Sequence, residues 1–179
     1  MALTMLFGGA RSGKSALAVE LGRRHDGAVT FIATAPVVDH DMSTRIARHR
    51  AERPAEWETV EAPVELANAI AGATHSMIVI DCLTMWISNL MLDVGESPDD
   101  EAIERTAAEV ADRAAAVSAP VVAISNEVGL GVHPETALGR RYRDVLGRVN
   151  QTWAAAAERN LLLVAGRAIP LVDPWDHLS

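Results

Sequence analysis

An eight-residue glycine-rich segment near the start of the chain constrains its fold more than any other feature. It consists of Gly8, Gly9, Ala10, Arg11, Ser12, Gly13, Lys14 and Ser15, and it fits the pattern G-x-x-x-x-G-K-[ST] at every position. An apolar run precedes it and a helical pattern follows it. A strand, a glycine-rich turn and a helix in this order present backbone N–H groups to phosphate. The segment therefore predicts a nucleoside-triphosphate site.

Two side chains of this segment have predicted roles in phosphate chemistry. Lys14 is expected to bring a compact positive charge to the β- and γ-phosphates, and the Ser15 hydroxyl is expected to ligate Mg²⁺. Lys14 is the only lysine in a chain that otherwise uses arginine. The pattern indicates that a triphosphate binds, but it leaves open what the phosphate is used for.

The composition predicts one acidic globular domain spanning residues 1–179. The chain is long enough for a sizeable core, and 49% of its residues are hydrophobic. A formal charge of −8 argues against nucleic acid or an anionic membrane surface as a partner. One cysteine, Cys82, excludes an internal disulfide and favours a cytoplasmic protein. We find no signal peptide and no apolar stretch as long as a membrane span.

Strand and helix patterns alternate along the chain. The predicted strands are 3–7, 29–33, 57–61, 77–81, 121–125 and 161–165, and the predicted helices are 14–24, 42–53, 64–73, 83–91, 99–117 and 136–159. Such alternation predicts an α/β fold, a mostly parallel sheet with helices on both faces. Residues 168–172 follow Gly166 too closely for a helical crossover, so we expect a small antiparallel edge strand there.

Three further segments are expected at the carboxyl ends of strands, where open α/β sheets bind ligands. Asp81 ends an apolar strand, and its carboxylate either joins Ser15 in holding Mg²⁺ or caps the next helix. The Thr34 hydroxyl either contacts the nucleotide or its acceptor, or closes a strand-end turn. Gly129 and Gly131 indicate unusual backbone angles or a close approach to a ligand.

The segment 41–54 concentrates positive charge in an otherwise acidic protein. Its basic residues are Arg45, Arg48, His49, Arg50 and Arg53. On a helix, residues three and four positions apart are neighbours, so this cluster either binds an anion or forms a solvated face. His49 alone would be an ordinary surface histidine.

The motifs, taken in order, resemble those of the bifunctional adenosylcobinamide kinase/adenosylcobinamide-phosphate guanylyltransferase family of cobalamin biosynthesis. They are G-G-A-R-S-G-K-S at 8–15, I-A-T at 32–34, R-I-x-x-H-R-x-x-R-P at 45–54, W-x-T-x-E at 57–61, the strand-end acid Asp81, S-N-E-V-G at 125–129 and G-R-V-N-Q at 147–151. The resemblance extends to about Pro170, and the histidine-containing motif is its most specific part.

The resemblance implies two reactions. A nucleoside triphosphate, ATP or GTP, phosphorylates the aminopropanol hydroxyl of adenosylcobinamide. GTP then guanylylates a histidine, which matches His49, and the corrinoid phosphate takes the GMP. The implied nucleotide contacts match the loop from Gly8 to Ser15 together with Ala33, Thr34, Ala35, Arg50, Ala51, Glu52, Arg53, Glu61 and Asp81.

The resemblance also implies a homotrimer. The predicted helix 136–159 carries apolar residues at a spacing suited to a core, or to a subunit contact: Leu138, Val145, Leu146, Val149 and Trp153. We expect these side chains to lie mainly in the core of their own subunit.

Two positions depart from the family pattern. Arg48 stands where many relatives carry a second histidine, so His49 is the only candidate in the motif, and the positive charge is expected to lower its pKa. Asp81 stands where some relatives use glutamate, which suggests a water-bridged contact to Mg²⁺.

Two other functions fit the phosphate loop. One is a small-molecule kinase without histidine chemistry, and the other is a nucleotide-gated regulatory ATPase. The sequence leaves open the preferred triphosphate of the kinase step, the retention of both activities and the corrinoid docking residues.

Overall fold

The structure is a computed structural model that describes residues 3–35, 53–73, 77–92 and 99–178. Seven strands of these residues form one sheet: β1 (Leu3–Gly8), β2 (Val29–Ala33), β3 (Glu58–Glu61), β4 (Met77–Asp81), β5 (Val121–Asn126), β6 (Arg159–Val164) and β7 (Arg167–Leu171). The order across the sheet is β3-β2-β4-β5-β1-β6-β7. All neighbours pair in parallel except β6 and β7, which are antiparallel. The antiparallel edge strand is therefore confirmed.

Six helices accompany the sheet in the described residues: α1 (Lys14–Arg23), α2 (Leu66–Gly72), α3 (Leu83–Leu92), α4 (Asp100–Ala116), α5 (Ala137–Ala156) and a short α6 (Trp175–Leu178). None of them is long and apolar enough to cross a membrane. Residues 42–52 of the predicted helix 42–53 lie outside the described residues, and α6 has no counterpart among the predicted helices.

Two hydrophobic cores lie on opposite faces of the sheet. On one face, α1 packs against strand residues that include Phe31, Val79 and Ile124. On the other, α2 to α5 pack against residues such as Ile80 and Ala123. Because successive strand residues point to opposite faces, strands covered on both sides read as continuous apolar runs. The predicted fold class, a mostly parallel sheet with helices on both faces, is confirmed.

Side-chain caps set the starts of two long helices. The Asp99 carboxylate accepts a hydrogen bond from the Ala102 N–H at 2.6 Å, and the Thr136 hydroxyl accepts one from the Gly139 N–H at 3.0 Å. Each oxygen satisfies an N–H group that has no partner within its helix. The predicted start of the helix 99–117 is thereby confirmed.

The carboxyl end of the last long helix was predicted wrongly. The sequence pattern predicts a helix up to Arg159, but α5 ends at Ala156 and Arg159 begins β6, paired with Thr4. The Glu158 N–H already donates to the Leu3 carbonyl at 3.0 Å. Hydrogen bonds to β1 therefore override the local helical pattern, because tertiary pairing outweighs intrinsic propensity.

The apolar residues of α5 lie mostly in the core, as expected. Val145, Leu146, Val149 and Trp153 are fully buried. Leu138 differs, because 50% of its surface is exposed near the start of the helix.

A tight hairpin joins the last two strands. Val164 pairs with Arg167, so the turn contains only Ala165 and Gly166, whose φ angles are 50° and 73°. Positive φ at both central residues is the requirement of a type I′ turn, which suits the twist of antiparallel strands. Every residue of β7 is exposed.

Candidate phosphate site at the carboxyl edge of the sheet

The segment between β1 and α1 folds into a closed loop that depends on glycine. Gly8 and Gly13 have φ angles of 148° and 104°. A Cβ atom on Gly8 would lie 2.3 Å from the Leu163 carbonyl oxygen and 2.7 Å from Ser12 Oγ. Both the backbone angle and the crowding therefore exclude a side chain at position 8. Arg11 also adopts a positive φ, 56°, at the exposed tip of the loop.

The Lys14 ammonium lies at the centre of this loop. Its Nζ donates to the carbonyl oxygens of Gly8 at 2.8 Å and Gly9 at 2.7 Å, and it lies 3.4 Å from Ser12 Oγ. Only 6% of the residue is exposed. This burial lowers the pKa of Lys14, while the negative charge of Asp81 acts in the opposite direction. A desolvated ammonium held by carbonyl dipoles is suited to binding an anion.

The hairpin between β6 and β7 contacts the backbone of the phosphate loop. The Gly166 N–H donates to the Ser12 carbonyl at 2.9 Å. A Cβ atom on Gly13 would lie 3.3 Å from Gly166 Cα, so the two backbones are in close contact. Sequence reasoning did not find this role of the hairpin. The only available signal was a glycine between two apolar runs, which predicts a turn but not its contacts.

Asp81 occupies the strand-end position expected of a metal-shell acid. It is the last residue of β4, and α3 begins at Leu83, which makes Cys82 the N-cap residue. Asp81 shares its face of the strand with Met77 and Val79, which pack in the core beneath α1. The carboxylate therefore lies on the side of the sheet that carries Lys14.

The Thr34 side chain stabilises the edge of the sheet and does not face a ligand. It is fully buried, and its hydroxyl accepts from the Cys82 N–H at 2.8 Å and donates to the Cys82 carbonyl at 2.7 Å. Asn89 of α3 donates to the carbonyls of Thr34 and Pro63, each at 2.8 Å. Of the two interpretations of the Thr34 hydroxyl, the structural one fits. These bonds fix the loop that carries Ala33 and Ala35.

Cys82 is an unreactive thiol beside the site. Burial and, to a smaller extent, the nearby Asp81 carboxylate raise its pKa to about 11. The thiolate is the nucleophilic form of cysteine, so this side chain stays neutral near pH 7. Cys82 is therefore not a candidate for the covalent chemistry.

Residues 33, 61 and 81 lie side by side at the same edge. Ala33 pairs with Glu61 on β3 and with Asp81 on β4. Glu61 is exposed, as a nucleotide contact requires. Arg53 lies further back, with its guanidinium carbon 3.8 Å from the centre of the Phe31 ring and Nη1 3.4 Å from Thr59 Oγ1. The structure thus brings Glu61 to the edge and packs Arg53 against the sheet.

A buried network joins two of the sequence motifs. Ser125 Oγ donates to Asn150 Oδ1 at 2.6 Å, and Asn150 Nδ2 donates to the Asn126 carbonyl at 3.1 Å. The Asn126 N–H donates to Thr84 Oγ1 at 2.7 Å, and the Tyr142 hydroxyl donates to the Thr84 carbonyl at 3.0 Å. The motifs at 125–129 and 147–151 therefore meet in space, and together they hold the end of β5.

The glycines after β5 do not have the conformation that was expected of them. Neither Gly129 nor Gly131 adopts a positive φ. The Gly129 N–H donates to Glu127 Oε1 at 2.6 Å, and a Cβ atom on Gly129 would lie 2.9 Å from that oxygen. The close approach is thus to Glu127, whose own N–H donates to the Gly8 carbonyl at 3.1 Å.

Most of the histidine-containing motif, residues 45–52, lies outside the described residues. This applies to His49, Arg50, Ala51 and Glu52, and to Arg45 and Arg48 before them. Within the described ranges, no group of three or more His, Cys, Asp or Glu residues is arranged to hold a metal ion.

The loop, the lysine at its centre and the strand-end acid define a P-loop NTPase-type domain. Solved structures with this fold resemble the chain. One is a prototypical ATPase of the type III secretion system of pathogenic bacteria, with a TM-score of 0.61 and 11% identity over 91% of this chain and 51% of that one. The assembled ATPase EscN of enteropathogenic E. coli gives a TM-score of 0.56 and 11% identity over 92% and 43%. The chain spans about half the length of these ATPases, and the likeness is one of fold alone.

Relatives of known name are much closer in sequence. A family model described as cobinamide kinase / cobinamide phosphate guanyltransferase matches residues 4–171. The bifunctional adenosylcobalamin biosynthesis protein CobP of Pseudomonas aeruginosa is 39% identical over 93% of this chain and 95% of its own length. The CobU proteins of Escherichia coli and Salmonella typhimurium are each 38% identical over 94% of this chain and 99% of their own. The chain belongs to this family, as the motifs predicted.

Proposed function

We propose that this protein phosphorylates adenosylcobinamide and then transfers GMP from GTP to the resulting phosphate, so that one chain performs both reactions. The observation that carries the proposal is the closed phosphate loop with Lys14 at its centre and Asp81 on the same face, in a chain that matches the family over residues 4–171. The names of the relatives, each bifunctional, support the pairing of the two activities.

In the kinase step, the corrinoid hydroxyl oxygen attacks the γ-phosphorus of a triphosphate. A new P–O bond forms, the bond to the β–γ bridging oxygen breaks, and the hydroxyl proton passes to solvent. The loop N–H groups and the Lys14 ammonium stabilise the charge that develops on the phosphates. ATP and GTP both present the same phosphates to this loop, so either fits the described part of the site.

In the second step, a neutral His49 ring nitrogen attacks the α-phosphorus of GTP. The N–P bond forms as the bond to the β-phosphate breaks, and pyrophosphate leaves. A phosphate oxygen of adenosylcobinamide phosphate then attacks the same phosphorus, the N–P bond breaks and adenosylcobinamide-GDP is released. The covalent intermediate divides a difficult transfer into two easier ones. Glu61, Arg50 and Arg53 remain proposed contacts of the nucleotide.

The donors at the edge fit a magnesium ion shared with phosphate. Asp81 supplies a carboxylate on the face of Lys14, and Ser15 supplies a hydroxyl in the first turn of α1. Oxygen donors of this kind suit Mg²⁺, which commonly takes only one or two protein ligands beside phosphate oxygens and water. The ion would neutralise charge on the triphosphate when bound.

Asp81→Asn is expected to raise the Mg²⁺ concentration needed for half-maximal activity, with little change in nucleotide affinity measured without metal. The amide retains the shape of the side chain but loses the negative charge that attracts the ion. Magnesium titrations of both activities, run beside thermal melts, provide the measurement. An unchanged titration curve with a lowered melting temperature would show that the side chain acts on stability.

The chain is also proposed to act in the cytoplasm as a homotrimer on a soluble corrinoid. Exposed apolar side chains on and after the β6–β7 hairpin support a subunit contact there: Val164, Ile169, Leu171, Val172, Trp175 and Leu178. Light scattering in solution should give three times the chain mass of 19.1 kDa. A monomeric mass at micromolar concentration would contradict the trimer.

One labelling experiment separates this function from the two alternatives. GTP labelled at the α-phosphate should leave label on the protein that is lost in acid and retained in base, the behaviour of a phosphorus–nitrogen bond. A plain small-molecule kinase would leave no such label. A regulatory ATPase would instead release phosphate, with stimulation by a macromolecule. Adding adenosylcobinamide phosphate should discharge the label into a small-molecule product.

A further inference from the structure

Asn126 is a polar residue at the centre of the site that none of the roles above uses. We propose that its side-chain amide binds the terminal phosphate of the triphosphate and is a catalytic residue of the phosphoryl-transfer step. The inference rests on the proposed function, since it requires a triphosphate in the loop. Three observations carry it: the position of the residue across the sheet, the face it occupies and the way its backbone is held.

The position of Asn126 is between the two elements that handle phosphate and metal. β5 lies between β1, which leads into the loop, and β4, which ends in Asp81. Asn126 pairs with Gly8, the first loop residue, whereas Asp81 pairs with Ile124. Asn126 therefore stands level with the start of the loop and two residues, about 7 Å, beyond Asp81 along the sheet.

The face of the strand is fixed by the neighbours of Asn126. Val122 and Ile124 pack in the core beneath α1, and residues at this spacing point to the same side of a strand. Ser125 points the other way, since its hydroxyl bonds Asn150 of α5. Asn126 thus shares its face with Asp81 and with the end of α1 that carries Lys14.

The backbone of Asn126 is anchored while its amide is left for a ligand. Its N–H donates to Thr84 and its carbonyl accepts from Asn150, so side chains from two helices hold the one residue. Asn126 is half-buried, and its side-chain amide has no hydrogen bond to any residue in the described ranges. The two donors and the acceptor of the amide are therefore available to a ligand at the edge of the sheet. A donor fixed before the reaction needs no rearrangement during it.

An amide has the chemistry that this position calls for. Its NH₂ group offers two donors to oxygens of the terminal phosphate, and its carbonyl can accept from a water or from the attacking hydroxyl. Charge spreads over the three equatorial oxygens as the phosphoryl group is transferred, so a donor there gains strength in the transition state. A carboxylate at the same place would repel the phosphate. Asn126 forms no covalent bond in this role.

The test compares Asn126→Ala and Asn126→Asp with Asn68→Ala. Asn68 is a matched control because it is an exposed asparagine on α2 that bonds only Glu65 among the interactions seen. Asn126→Ala is expected to lower the kinase kcat about 10²-fold, the usual loss for one transition-state donor. Asn126→Asp should lower the kcat further. Melting temperatures should stay close to that of the parent protein, because both backbone anchors remain.

A measurement of nucleotide affinity tests the role of Asn126 without requiring that the enzyme turn over its substrate. Asn126→Ala should weaken the binding of a non-hydrolysable triphosphate analogue about tenfold, as expected for a hydrogen bond to a charged group, and leave the affinity for the diphosphate unchanged. An equal loss of affinity for the triphosphate analogue and the diphosphate would overturn the proposal. So would an unchanged kcat together with an unchanged ratio of these two affinities. Failure of the parent protein to phosphorylate adenosylcobinamide would instead refute the proposed function, and the affinity ratio would still decide the role of Asn126.

Discussion

Lys14→Ala is expected to lower both the kinase and the guanylyl-transfer rates by about 10²-fold or more. The reason is that one loop serves both reactions: it binds the γ-phosphate that is transferred in the first and the pyrophosphate that leaves in the second. Lys14 is the only lysine in the chain, and no other ammonium side chain can replace it. Initial rates of both reactions, each at saturating triphosphate, provide the measurement.

Two further variants separate lost charge from lost structure. Arg24→Ala is the matched control, since it removes a cation from the end of the same helix, where it pairs with Glu20 in solvent. It should leave both rates unchanged. Lys14→Met keeps the apolar stem that packs in the loop, so a folded but inactive Met variant would assign the loss to the ammonium. Near-normal kinase activity in Lys14→Ala would require a second triphosphate site.

Local signals were sufficient for the strands and for the loop. The β2 and β4 bounds agree with the predicted 29–33 and 77–81, because both strands are central, apolar and bounded by polar or small residues. The loop was recognisable because its glycines serve the geometry of the loop itself, where Gly8 and Gly13 adopt a positive φ. Patterns that arise within a few residues can be predicted from those residues.

Contacts between distant segments could not be predicted in the same way. The support of the loop by Gly166 joins residues more than 150 positions apart, and the Asn150 bond to Ser125 depends on how α5 lies on the sheet. Thr34 shows the same limit at a single residue. A threonine hydroxyl at the end of a strand can contact a ligand. In the fold, however, the hydroxyl of Thr34 donates to the carbonyl and accepts from the N–H of Cys82, a residue 48 positions away.

The residues of the site are assigned on two different grounds. Lys14, Asp81 and Asn126 are placed by strand order and register, whereas His49 is assigned by its motif alone. Because strand side chains alternate between the two faces of the sheet, the structure places Asn126 on the same face as Asp81. From the sequence, Asn126 is one polar residue in a polar motif, and only the strand order puts it between Gly8 and Asp81.

His49→Ala is expected to abolish guanylyl transfer and protein labelling while largely retaining the kinase step. A histidine nucleophile is needed only where a covalent GMP is formed, and the γ-phosphoryl transfer runs directly to the corrinoid hydroxyl. Label from α-phosphate-labelled GTP, counted per mole of protein, measures the first activity. Phosphorylation of adenosylcobinamide, followed in the same preparation, measures the second.

His133→Ala is the matched control for this experiment. His133 is an exposed histidine in the loop after β5, with Nδ1 2.9 Å from Arg143 Nη1. Its replacement should leave both labelling and phosphorylation at the level of the parent protein. Normal labelling of His49→Ala would mean that another histidine reacts, with His40 and His133 as the next candidates. Loss of both activities in His49→Ala, with an unchanged melting temperature, would instead mean that His49 also serves the kinase step, and the two reactions would then share more than the phosphate loop.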